Sequence, residues 1–207
     1  MLLLILLTGW FLSPQQASIV CTNVATIQTQ PVRGPSATSA VLKVSVEDDH
    51  GKNTHFCVAD YQLVITGTSE SEPVVQTLLS SDADWDRSIS VRLNGFSRDG
   101  RNIFGVLSEG GNGHWEKLFD YNTPDGKVRL FDLEKQLNGV APANCHATTD
   151  VVGTTEGDTM VVELSSANHC TPNTRWLLNT SSGRLQRLAE TTPVVGLFDS
   201  ASVVPEK

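Results

Sequence analysis

The sequence predicts an all-β domain built from three four-stranded antiparallel meanders. Three observations predict it. Short runs of β-branched and bulky apolar residues alternate with Gly-containing turns, most clearly over residues 89–133. No window carries a sustained 3.6-residue apolar period with helix caps. The strand order of 89–133 recurs, more loosely, on either side of it.

Residues 1–12 (MLLLILLTGWFL) form a continuous apolar run, followed by the polar stretch 13–17. A bilayer span needs about 20 residues, so the run fits the h-region of a secretory signal better than a membrane helix. The expectation is a signal peptide over 1–17, cut near Ala17, ahead of a single all-β domain over 18–207. The protein is then secreted, or held in the periplasm or cell envelope. No Lys or Arg precedes the run, and an uncleaved N-terminal membrane anchor is the alternative. Cys21 follows Val20, where lipoprotein acylation expects a small residue.

The first unit covers about 19–80, with strands at 24–29, 40–46, 61–66 and 74–79. Gly34-Pro35-Ser36 breaks the first pair, and 47–53 is a polar loop. The polar segment 80–87 reads as a linker. The middle unit, 86–133, has strands at 89–96, 102–108, 115–121 and 127–132. Its turns Arg98-Asp99-Gly100 and Pro124-Asp125-Gly126 place Asp-Gly between apolar runs, because both residues tolerate the positive φ of tight reversals. The third unit, 143–189, has strands at 146–154, 159–165, 174–179 and 184–188. Residues 194–198 and 202–204 are further apolar pieces. Tyr61, Trp115 and Trp176 each open a third strand, and a Gly or Pro turn precedes each fourth strand.

Phe96-Ser97-Arg98-Asp99-Gly100-Arg101-Asn102-Ile103-Phe104 resembles the S-x-D-G-x-x-I-x-F core of the TolB-type, WD-repeat-like β-propeller repeats. Trp115 to Phe119, the 124–126 turn and Val128 to Phe131 follow in that family's order. The resemblance implies blade-like meanders in a propeller-like or partial-propeller arrangement, with a β-sandwich as the alternative. Propellers typically have four to eight blades. The tail would therefore complete a fourth blade, two chains would pair as a homodimeric six-bladed ring, or the units would fold back as a sandwich. The resemblance implies an exported, non-catalytic binding or scaffold protein whose protein or glycan partner is unidentified.

The four cysteines, Cys21, Cys57, Cys145 and Cys170, are an even set, as an oxidising compartment favours. If Gly157-Asp158 is a two-residue turn, Cys145 and Cys170 stand directly opposite at a non-hydrogen-bonded position, about 4.5 Å apart at Cα. Cys21 and Cys57 occupy the analogous places in the first unit. The expected bridges are Cys21–Cys57 and Cys145–Cys170. No C-x-x-C supports zinc.

The net charge of −8, with Lys and Arg scattered singly, argues against a nucleic-acid partner. Asp82-Ala-Asp84-Trp-Asp86 alternates carboxylates as calcium loops do, but Arg87 and Leu93 stand where Gly and Glu are needed. Glu47 to His50 with His55 matches no standard metal spacing. His55, His114 and His169 each precede a third strand and would gather at one face, a candidate binding cluster with Trp115. No catalytic residue, metal site or cofactor is called. Exposed Trp85, Trp115 or Trp176 would favour a carbohydrate-binding module, and a small secreted hydrolase would need a converging His and carboxylate.

Overall fold

The computed structural model describes residues 15–20, 25–48, 56–67, 72–84, 87–110, 115–137, 140, 145, 147–155, 158–166, 169–189 and 191–196. In chain order the strands are β1 (Gln15–Val20), β2 (Ala25–Gln28), β3 (Val32–Arg33), β4 (Ser39–Asp48), β5 (Phe56–Thr66), β6 (Val74–Asp84) and β7 (Ser88–Phe96). There follow β8 (Asn102–Glu109), β9 (Trp115–Asn122), β10 (Lys127–Phe131), β11 (Ala147–Thr154), β12 (Thr159–Ser166), β13 (Thr174–Asn179) and β14 (Arg184–Arg187). A single helical turn, α1 (Leu133–Gln136), is capped by the Asp132 carboxylate, which accepts from the Lys135 N–H.

The strands form three antiparallel sheets. The first runs β2-β4-β5-β6 with β3 also on β4, the middle β1-β7-β8-β9-β10, and the third β11-β12-β13-β14. The described strands close into no barrel, and their packing is sandwich-like or that of a partial propeller. The middle sheet is covered on both faces. Ile103, Leu107, Phe119 and Tyr121 pack with Leu42, Val44, Tyr61 and Leu63 of the first sheet. Their strand neighbours Phe104, Val106 and Leu118 pack with Met160, Val162, Leu164 and Leu178 of the third. A strand buried on both faces is apolar at successive positions, which is why β8 reads Ile-Phe-Gly-Val-Leu. At its centre a Cβ on Gly105 would lie 2.3 Å from a Phe119 ring carbon and 2.5 Å from the Arg92 carbonyl oxygen. The close approach of β7 and β9 requires glycine there.

The expected Asp-Gly turns are present, with Gly100 and Gly126 at φ 71° and 62°. Several elements differ from expectation. The segment 80–87 is no linker as far as Asp84, because β6 continues there, pairing Asp84 with Phe56 and Ala83 with Cys57. The hydrophobic β5 partner holds these polar residues in the ladder, and Ala83 is buried. β5 likewise starts at Phe56, so Tyr61 stands mid-strand rather than opening it, and Trp176 is the third residue of β13. Trp115 does open β9. Of the tail, Val195 pairs with Thr154 at the open edge of β11 and so extends the third sheet. Residues 197–207 lie outside the described residues.

The Cys145–Cys170 disulfide forms, with Cα atoms 5.7 Å apart. The two cysteines are not directly opposite each other in the strand ladder. A bulge between Val151 and Gly153 shifts the β11–β12 register, and the ladder ends at Ala147 opposite Ser166. Cys170 returns to Cys145 through a turn in which His169 takes φ 51° and the Ser166 hydroxyl accepts from the Cys170 N–H at 3.0 Å. Cys57 is disulfide-bonded, while Cys21, its expected partner, lies outside the described residues. Of the expected leader, residues 1–14 also lie outside them. Residues 15–17 form the first half of β1, which pairs along β7 from Gln15 opposite Leu93 to Val20 opposite Ser88. Among the described residues no helix is long and apolar enough to cross a membrane.

Candidate functional site

Alternation along β8 sends Glu109 in the same direction as Ile103 and Leu107, into the seam between the first and middle sheets. Its side chain is fully buried. A buried carboxylate requires donors, and Glu109 has four. The Tyr61 hydroxyl of β5 donates at 3.0 Å and the Trp115 indole N–H of β9 at 3.0 Å. The Ser81 hydroxyl of β6 also donates. The Arg87 guanidinium completes the set at 3.5 Å. Burial, then the Glu109 charge and its hydrogen bond, push the Tyr61 phenol far above its ordinary range. The Trp115 ring meets Tyr61 edge-on at 6.2 Å, and the Lys117 ammonium stands 4.8 Å over it.

The opposite face of the middle sheet has a second buried carboxylate. Asp120 accepts from Asn102 Nδ2 at 2.8 Å and forms an ion pair with Arg129 at 3.2 Å. The Thr180 hydroxyl, in the turn after β13, donates to the Asp158 carbonyl at 3.1 Å. Burial dominates and raises the Asp120 carboxyl above its ordinary value, although Thr180, Arg129 and Asn102 oppose the rise. The seam continues through Arg92 and Asp150 at 3.1 Å, Asn94 and Asp150 at 2.8 Å, and the Thr149 hydroxyl on Glu116 at 2.6 Å. At the 97–100 turn the balance for Asp99 runs the other way. Its partial burial would raise the carboxyl, but the Ser97 hydroxyl and the backbone N–H and charge of Arg101 hold it below its ordinary value.

Asp120 yields a signed pH prediction. Its folded-state value is raised, so its contribution to stability is fully present below the unfolded value and is lost as pH rises through the folded one. Asp120→Asn does not titrate. The stability difference, wild type minus Asp120→Asn, should therefore increase as pH falls into the carboxylate range. Urea denaturation of both proteins across pH 7 to 3.5 measures it, and a difference that is flat or shrinks toward acid would contradict the assignment.

Of the predicted histidine cluster, only His169 is among the described residues. His55 and His114 lie outside the described residues. His169 is exposed beside Cys170. Trp115, proposed for binding, is half-buried and committed to Glu109, Tyr61 and Lys117. Trp176 is half-buried against the second core, with its indole N–H on the Thr174 hydroxyl at 3.0 Å. Trp85 lies outside the described residues. No group of three or more His, Cys, Asp or Glu suited to a metal occurs among the described residues. Sequence reasoning missed Glu109 and Asp120. The available signal was an acid at a core-facing position of an apolar strand, as in Leu118-Phe119-Asp120-Tyr121. No family model matches the chain, and neither the curated proteins nor the solved structures contain a match to it.

Proposed function

We propose that the protein is an exported, non-catalytic binding or scaffold module, with the propeller-like plan that its TolB-type resemblance implies. The observation that carries this reading is the use made of its buried carboxylates. Glu109 and Asp120 join the sheets through hydrogen bonds and ion pairs to neighbouring strands, so they serve the rigidity of the stack. The strand edges and loops of that stack are what it presents to a partner. The Cys145–Cys170 bond and the bonded state of Cys57 suit an oxidising compartment.

Chemical crosslinking of the tagged full chain in its exported fraction tests the reading. A discrete, reproducible adduct to another macromolecule is expected. Absence of any adduct, together with turnover in esterase, glycosidase or peptidase assays, would replace it with the hydrolase reading. The partly exposed faces of Trp115 and Trp176 favour a second reading, carbohydrate binding. Saturable quenching of tryptophan fluorescence by oligosaccharides would support that one instead.

A further inference from the structure

The outer edges of the three sheets are unequal. β10, at the edge of the middle sheet, has 5 residues and carries Lys127 and Arg129. β14, at the edge of the third, has 4 residues and carries Arg184 and Arg187. Short edges bearing long cations resist pairing with another chain. β6, at the edge of the first sheet, has 11 residues, VVQTLLSSDAD, with neither cation nor proline. No strand pairs with its outer side among the described residues. Its first two residues, Val74 and Val75, are 53% and 57% exposed.

We infer that the Val74–Thr77 edge of β6 is a docking site for an extended segment of another protein, one with β-branched residues at its centre and Lys or Arg at its ends. The inference rests on the binding-module reading and names its surface and partner chemistry. Val75 stands opposite Val64, and Val64 opposite Val41, so a valine row crosses the first sheet and stops at the open edge. A fourth strand continues that row with a β-branched residue beside Val75. Charge selects the flanks. Exposed Glu72 precedes the edge, exposed Asp82 follows it, and the chain carries a net charge of −8. A second copy of this chain would bring the same acids to the same edge, whereas a cation-flanked strand complements them.

The probe is a fluorescein-labelled peptide, Lys-Val-Thr-Val-Thr-Val-Thr-Val-Thr-Val-Lys, long enough to reach from Glu72 to Asp82, titrated with the full-length protein and followed by anisotropy. Saturable binding is expected, weakening as salt rises. It should fall at least tenfold when Glu replaces both Lys residues of the peptide, and at least tenfold in Val75→Lys. Val75 is exposed, so this variant should keep the wild-type melting temperature, which is measured alongside. Equal binding of both peptides, no binding, or binding unchanged in Val75→Lys overturns the inference. Concentration-dependent dimerisation abolished by Val75→Lys would assign the edge to a second copy and also overturn it. The crosslinked adduct separates the two levels of the argument. An adduct that survives Val75→Lys leaves the binding module standing and removes this edge from it, whereas no adduct in wild type removes the module reading itself.

Discussion

Glu109→Ala is expected to lower the unfolding free energy by about 3–5 kcal/mol, the usual cost of removing one partner from a buried charged network. Four donors converge on the carboxylate from β5, β6, β9 and Arg87. Deleting it leaves the buried Tyr61 hydroxyl and the Trp115 indole N–H without their acceptor, and leaves a void beside them. For a chain of this size the change corresponds to a melting-temperature fall on the order of 10 °C. Tyr61→Phe removes one donor of the four and leaves the carboxylate served, so about 1 kcal/mol is expected. Urea denaturation of both variants measures the contrast. Equal losses, or a loss under about 1 kcal/mol for Glu109→Ala, would show that Glu109 does not hold the first two sheets together.

The second large effect concerns the third sheet. Cys145 and Cys170 close a loop with a sequence separation of 25. The chain-entropy model assigns such a loop about 3–4 kcal/mol, through fewer conformations of the unfolded chain. The Cys145→Ser/Cys170→Ser double variant should lose that amount, with the β11–β12 ladder intact. The bond lies beyond the last paired residues, Ala147 and Ser166, so it anchors the strand ends without setting the register. Thermal melting with circular dichroism checks both parts: a lower midpoint and an unchanged folded spectrum. An unchanged midpoint would mean that the bond adds nothing to the stability of this sheet.

Strands β7 to β10 of the middle sheet were legible because two local signals agreed there. Runs of β-branched and bulky apolar residues marked β7 to β10, and Asp-Gly marked the β7–β8 and β9–β10 reversals. Where only one signal was present, boundaries slipped. Ser80 to Asp84 have little strand preference of their own, and only β5, far along no sequence pattern but adjacent in space, keeps them extended. Bulges between Leu93 and Gly95 and between Val151 and Gly153 leave no mark in the alternation, so an arithmetic of turns found the right cysteine pair with the wrong register. The roles of Glu109 and Asp120 were illegible for a different reason. An acid in a strand declares its partners only when the next sheet arrives, and those partners come from both sides of it in sequence. The open edge of β6 is in the same class, since its exposure depends on which strands the sheet places elsewhere.

The N-terminal strand bears on how the molecule is made. β1 is synthesised before β2 to β6, yet its place on β7 exists only after the whole first sheet has followed it. The β1 residues therefore wait without their β7 partner while β2 to β6 are produced. The first sheet lies inside the loop that this pairing closes, so its assembly and the completion of the middle sheet are kinetically tied.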